Sequence, residues 1–249
     1  MLSTQVRSFV KLTRNIDFVK CKKLKKKSRC SKEELATWTS QGSGSVVGSN
    51  SLGSFILTAE HVCADPADDL DFVGSVESRL LDPSEKEYFK IITEHKATAF
   101  SGQVERLDII ATDDALDVCV VFAEGLHIKP LKRYYGTLNI GEKYYNMAAP
   151  LGIFEPGLVP LFEGRYIGQP NPQRALFSIP AAGGSSGSPV IDSKGRLAGM
   201  IHSVASGFNH LSFGPHLGKL NAFIDDNIRD YHDKWHGNML KMTRPILEQ

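Results

Sequence analysis

The chain has 249 residues, 41% of them hydrophobic and 23% charged, values ordinary for a soluble globular protein and a length that fits one large all-β domain or two small barrels sharing an interface. No stretch approaches the roughly 18 apolar residues that a membrane-crossing helix needs. The formal net charge of +1 hides an asymmetry, because residues 1–32 hold 11 Lys/Arg and one acid while residues 33–249 hold 18 Lys/Arg and 27 acids.

In chain order, residues 1–41 read as a basic, flexible N-terminal extension. The start, MLSTQVRSFVKLTRNIDFVK, has neither the continuous apolar core nor the small-residue cleavage site of a secretory signal, so a cytoplasmic location is expected. Residues 20–32, KCKKLKKKSRCSK, carry eight Lys/Arg in thirteen positions. Such a block is a solvated tail or a contact for nucleic acid or an anionic membrane surface, and no aromatic residue is interleaved to stack on bases. The four cysteines, Cys21, Cys30, Cys63 and Cys119, are too scattered for a disulfide framework and match no zinc spacing, so reduced thiols are expected. Cys63 reads as a small buried hydrophobe rather than a nucleophile.

From about residue 42 the sequence becomes a series of short apolar runs punctuated by Gly, Ser, Asn and Asp: GSVVG, SFILT, YFKIIT, LDIIAT, DVCVVF, KYYNMA, GRYIG, SPVID and RLAGMIHSV. These are strand-length segments rich in Val, Ile, Phe and Tyr, and they predict an all-β sandwich or barrel to about residue 213. After Pro215 the period changes. Leu217, Leu220, Phe223, Ile224, Ile228 and Tyr231 recur at three- and four-residue spacing, which predicts one amphipathic helix over 216–232 followed by a tail over 233–249.

Three segments carry candidate chemistry. In SFILTAEHVCADP a buried strand runs into a turn bearing His61. In ATDDALDVCVVF, Asp117 enters an apolar strand after Asp113 and Asp114, where a carboxylate is costly to bury without a partner such as a histidine N–H. In AAGGSSGSPVID a glycine-rich loop surrounds Ser186, and its flexibility lets the N–H groups of Gly184 and Ser186 point to one place, as an oxyanion hole requires. Each segment alone has a bland reading: a structural histidine, a turn aspartate, a loop serine. Together, the order His, Asp, Ser is that of the chymotrypsin class, whereas subtilisin-like enzymes run Asp, His, Ser and α/β-hydrolases run Ser, acid, His.

The motifs GSGSVV, FILTAEHV, LDVCVV, GEKYYNMAAPLG and GGSSGSPVIDSKGRLAGM resemble the successive signatures of trypsin-like serine peptidases, particularly the HtrA-like proteases and the glutamyl endopeptidases, over roughly residues 42–225. The resemblance implies a chymotrypsin-like double six-stranded β-barrel, with barrels over 42–125 and 135–214 and the C-terminal α-helix. It implies a serine endopeptidase acting on protein or peptide substrates with no metal or organic cofactor, in which His61 is the general base, Asp117 its orienting carboxylate and Ser186 the nucleophile. Ser188 stands where the family usually has glycine, and Ser185 where it usually has Asp or Asn. The family's zymogen start and its cysteine partner upstream of the histidine are missing, and the chain ends before a PDZ domain would fit.

The resemblance also places substrate-binding residues. Pro180 and Ala181 fall at the base of the primary pocket, and His202, Ser203 and Val204 on its opposite wall. With no acid near Pro180, cleavage after Lys or Arg is disfavoured and a small or apolar preference is expected. A histidine on that wall reads Glu or Gln in related proteases, but His202 falls one residue late, and a one-residue shift on a strand turns the side chain to the opposite face. Three rivals stand beside this reading. An esterase elbow centred on Ser185 needs a helix directly after the serine, where the sequence reads strand and turn. A catalytically silent trypsin-like binding module is one alternative, and a viral or phage processing protease with Glu or Gln preference, held in the host cytoplasm, is another.

Overall fold

The computed structural model describes residues 2–23, 28–64, 70–81 and 87–243. It begins with a 3-10 helix over Leu2–Ser8, then two long antiparallel strands, β1 (Phe9–Lys23) and β2 (Ser28–Ser49). The expectation of a flexible extension over residues 1–41 is therefore corrected. Val10, Leu12, Ile16 and Phe18 alternate with Lys11, Thr13, Asn15 and Asp17, and the first set is buried at 0–3% exposure. This is the period-two pattern of a half-buried strand, which the concentration of lysine further along had masked. The basic block lies at the far end of this hairpin, and its residues 24–27 fall outside the described residues.

The first sheet continues with β3 (Gly53–Thr58), β4 (Glu87–Ala99), β5 (Val104–Arg106), β6 (Asp108–Asp113) and β7 (Val118–Glu124), in the order β5-β4-β1-β2-β3-β7-β6. Only Leu107 separates β5 from β6, so one bent strand pairs at both edges of the sheet and closes it into a six-stranded barrel. The second sheet is built the same way from β8 (Lys143–Met147), β9 (Leu161–Asn171), β10 (Arg174–Phe177), β11 (Ser188–Ile191), β12 (Leu197–Ile201), β13 (Ser203–Ala205) and β14 (Phe208–Pro215). Its order is β12-β11-β8-β9-β10-β14-β13, and the interruption between β12 and β13 is the single residue His202. Closure of both barrels leaves few free sheet edges.

Two helices lie on the first barrel between β3 and β4: a single turn, α1 (Glu60–Cys63), and α2 (Leu70–Leu80), the latter not foreseen from the sequence. The C-terminal helix α3 (Leu217–Thr243) is longer than the 216–232 segment expected and takes in most of the expected tail. Leu217, Leu220 and Ile224 are buried, and the Tyr231 ring packs on Phe55 and Phe122 with centroids 5.1 and 5.2 Å apart. The helix that follows the second barrel thus packs its apolar stripe back onto the first.

The expectation of reduced thiols is also corrected. Cys21 and Cys30 face each other across β1 and β2 and form a disulfide, and Cys63 bonds to Cys119. The pairing was invisible in the spacing because Cys63 and Cys119 lie 56 residues apart and meet only once α1 docks on β7. Cys63 is indeed buried, at 2% exposure, but as a half-cystine.

Candidate active site

His61 sits in α1, which starts directly where the buried strand β3 ends. Arg14 of β1 fixes this turn from outside by donating to the carbonyl oxygens of His61 and Ala64, at 3.4 and 2.5 Å. Asp117 is the last residue of a tight turn before β7, with its N–H donating to the Asp114 carbonyl at 3.2 Å and Asp113 accepting from the Leu116 N–H at 3.0 Å. The earlier pair of acids therefore shapes the turn. Asp117 itself has φ of +52°, a left-handed conformation that aspartate tolerates better than most residues but still at a cost of roughly 1–2 kcal/mol.

The strained turn aims the carboxylate at His61. Nδ1 of His61 is 2.9 Å from both carboxylate oxygens of Asp117, and the His61 backbone N–H also donates to Oδ1 at 3.2 Å. Burial pushes the Asp117 carboxyl upward, but the hydrogen bonds and charge of His61, together with His202, outweigh it and hold the group below its ordinary value. A carboxylate kept ionised on Nδ1 leaves Nε2 of the same ring available to exchange a proton on its open side. The His61 side chain is 49% exposed.

Ser186 lies in the loop that enters β11. The loop is seated by β2 and the start of α1: the Ser43 N–H donates to the Ser186 carbonyl at 2.8 Å, and the Ser43 hydroxyl donates to the Gly184 carbonyl at 2.7 Å. A Cβ at Gly187, where φ is +85°, would lie 2.2 Å from both the Ser43 carbonyl and the Thr58 hydroxyl, so only glycine lets the loop sit this deep. The Leu151 N–H donates to the Gly183 carbonyl, which fixes one face of the Gly183–Gly184 peptide. The amide N–H groups of Gly184 and Ser186 have no acceptor among the described residues. Two unpaired donors beside a serine hydroxyl match the demand of an oxyanion.

The Ser186 hydroxyl donates to the His202 carbonyl at 3.3 Å rather than to His61. Rotation about its Cα–Cβ bond is needed to present it to the imidazole, a rearrangement common in unliganded sites. Ser185 is 2% exposed, and its hydroxyl accepts from the Ala182 N–H at 3.2 Å. Ser188, directly after the loop, opens strand β11 and not a helix, so the arrangement an esterase elbow requires around Ser185 is absent there.

His202 occupies the break between β12 and β13, is 6% exposed, and turns Nδ1 toward Asp117, 3.4 Å from Oδ2. Burial lowers its pKa to about 4; Asp117 pulls it up, while Arg174 and His61 push it further down. One ring nitrogen of the imidazole is thus turned toward the His61–Asp117 pair. The sequence placed it among substrate-binding residues but one residue late on the strand, and the structure turns its Nδ1 to Asp117. A cleft of about 170 Å³ opens beside it, lined by Asp114, Leu116, Asp117, Arg174, His202 and Ser203. Pro180 and Ala181 lie on the segment before the serine loop, with the Ala181 N–H bonded to the Asn209 carbonyl at 3.0 Å, while Ser203 and Val204 lie on β13, paired with Phe213 and Ser212.

Among the described residues, no group of three or more His, Cys, Asp or Glu side chains is arranged to hold a metal ion, and no helix is long and apolar enough to cross a membrane.

Two closed barrels with a histidine and an aspartate from one and a serine loop from the other define the chymotrypsin-like architecture of serine peptidases. The chain belongs to the trypsin-like peptidase family: the family described as a trypsin-like peptidase domain matches residues 42–200. Among solved structures, the chain is similar to the serine endoprotease from Yersinia pestis, with a TM-score of 0.60 and 13% identity over 92% of this chain and 65% of that one. The chain thus spans about two thirds of the Yersinia protein's length. It is also similar to an inactive serine-to-alanine mutant of Rv3671c from M. tuberculosis H37Rv, with a TM-score of 0.59 and 14% identity over 91% of this chain and 89% of that one. A comparison with curated protein sequences returns no match.

Proposed function

We propose that the protein is a serine endopeptidase in which Ser186 attacks the substrate carbonyl, His61 takes the Ser186 proton and returns it to the leaving amine, and Asp117 holds the imidazole in the Nδ1–H tautomer. The observation that carries this reading is the bond from His61 Nδ1 to both oxygens of Asp117 at 2.9 Å, with the Ser186 hydroxyl held on the carbonyl of His202, whose ring turns to the same aspartate. Attack forms a tetrahedral oxyanion that the N–H groups of Gly184 and Ser186 stabilise; its collapse breaks the peptide C–N bond, releases the amine protonated by His61, and leaves an ester between Ser186 Oγ and the acyl carbon. Water then repeats the sequence and releases the acid.

The substrate is a protein or peptide with a small or apolar residue before the cleaved bond, because neither Pro180 and Ala181 nor Ser203 and Val204 offers a charge to pair with one. The orientation of His202 toward Asp117 weighs against a Glu or Gln preference.

The deciding experiment is reaction of the purified protein with a fluorophosphonate probe, alongside Ser186→Ala and Ser185→Ala, with mass mapping of the labelled peptide. Labelling at Ser186 that is lost only in Ser186→Ala supports the proposal. A folded protein that takes up no label, or takes it up at Ser185, overturns it.

A further inference from the structure

A cavity of about 630 Å³ is lined by none of the three residues of the proposed triad. Four parts of the chain wall it: the N-terminal 3-10 helix, the turn between β4 and β5, the linker joining the two barrels, and the turn between β11 and β12. Gln5 of the first covers Gly195 of the last so closely that a Cβ at Gly195 would lie 2.5 Å from the Gln5 amide, and Ser8 donates to the Lys129 carbonyl of the linker at 2.7 Å. The walls are therefore fastened to one another, and the cavity is part of the fold.

Its lining is one-sided in charge. Arg7, Lys129, Lys132, Lys194 and Arg196 line it and no Asp or Glu does. Arg196 is committed, bonded to Asp192 at 2.5 Å and stacked on the Tyr134 ring. Arg7, Lys129, Lys132 and Lys194 are exposed and have no ion-pair partner among the described residues. Like charges gathered around one concavity repel one another, and low-dielectric walls focus their field. In a chain whose net charge is only +1, this gathering does not follow from general basicity.

We infer that this cavity is an anion-binding site for an oligophosphate, separate from the peptidase centre. The volume lies within the range of small-ligand sites, roughly 300–1,000 Å³. Four uncompensated cations in that space call for several negative charges carried compactly. A phosphoryl group brings up to about two charges and three strong acceptor oxygens, so two or three linked phosphates meet the demand. An acidic peptide brings one charge per residue and must also place its backbone. Oligophosphate chemistry is shared by inorganic polyphosphate and nucleoside triphosphates, and Phe100, which also lines the cavity, gives the latter an apolar surface for a base.

The test is calorimetric titration of the full chain with tripolyphosphate and with a nucleoside triphosphate at low and high salt. Lys132→Glu, Lys194→Glu and, as a control of equal charge change elsewhere, Lys90→Glu are titrated in parallel. All three lysines are exposed, so the folded variants are accessible, and unchanged thermal midpoints confirm it. Saturable binding that falls at least tenfold in Lys132→Glu and Lys194→Glu but not in Lys90→Glu supports the inference. Equal affinity for the two ligands identifies the phosphate chain alone, and tighter binding of the nucleotide identifies a base contact. No binding at low salt, equal loss in Lys90→Glu, retention in both cavity variants, or equally tight binding of a tetraglutamate peptide would overturn it. Because the basic end of the β1–β2 hairpin is intact in every variant, binding there shows itself as retention.

Discussion

Cys63 and Cys119 each lie two residues beyond a member of the His61–Asp117 pair, and their disulfide joins the two segments whose side chains meet there. α1 is only four residues long, too short to hold its own geometry in water. The covalent link to β7, with the Arg14 clamp, supplies what the helix cannot.

Replacing both cysteines with serine should therefore act on stability and on turnover together. Closing a 56-residue separation is worth about 4 kcal/mol on the chain-entropy relation, so the denaturation midpoint should fall accordingly. kcat should fall more than KM rises, since the bond positions His61 rather than substrate. Intact-mass measurement before and after reduction checks the starting point: four hydrogen atoms should be gained on reducing the two disulfides. Free thiols in the folded, unreduced protein would contradict the structure at this position.

Asp117→Asn is the cleanest probe of the carboxylate. Asparagine tolerates the left-handed turn at this position, so the backbone should be retained, while the acceptor for Nδ1–H is partly replaced by a donor. On the precedent of other Ser-His-Asp triads, kcat should drop on the order of 10⁴-fold. An effect below about tenfold would mean that the carboxylate does not orient His61 during turnover. The measurement is kcat and KM on any peptide substrate first identified with the native protein.

His202 should make stability depend on pH. Its pKa is lowered from an ordinary 6.5 to about 4 in the folded protein. As pH falls below 6.5 the unfolded chain takes up a proton that the folded chain refuses, so stability is lost progressively until about pH 4, where the folded form protonates as well. The full loss is on the order of 3 kcal/mol for a group this buried. Asp117, lowered from an ordinary 3.8, adds its own loss only at still more acid pH. Urea denaturation at pH 7 and pH 4.5 should show the slope, and His202→Asn should flatten it. The same slope in the variant would assign it to other groups.

The all-β character, the C-terminal helix and the three chemical segments were legible because each rests on local pattern: strand-length apolar runs, a change to helical period after Pro215, a glycine-rich loop around Ser186; the double barrel came from the resemblance to trypsin-like peptidases. What was not legible depends on pairing across distance. α2 (Leu70–Leu80) sits between two segments outside the described residues, with a sequence, LDFVGSVESRL, whose glycine and serines argue against a helix when read alone. The partnership of Cys63 with Cys119 and the rotation of His202 toward Asp117 both arise from where a loop docks. No periodicity records that. Charge misled at the N-terminus, where eight cations in thirteen residues drew the reading toward a solvated arm although the alternation of Val10, Leu12, Ile16 and Phe18 lay just upstream.

That upstream segment yields a further test. Ile16 and Phe18 of β1 are 1% exposed and form a small cluster with Phe89 of β4, whose ring stands edge-on to Phe18 at 5.6 Å, against Val76 of α2. Truncating a buried aromatic in such a cluster removes both its transfer free energy and the packing around it, so Phe18→Ala should cost about 3–5 kcal/mol. A solvated arm would lose nothing by the same change. Deleting residues 1–23 should be worse still, because β1 lies between β2 and β4 in the first sheet, and its removal exposes two strand edges and takes Phe9, Val10 and Leu12 out of the main core cluster that also holds Leu57 and Val120. The chain should then fail to fold rather than merely lose a tail. Equilibrium denaturation of Phe18→Ala reads the first effect and circular dichroism of the truncated chain the second. A stable, β-rich protein after deletion would show that the first barrel closes without its N-terminal strand.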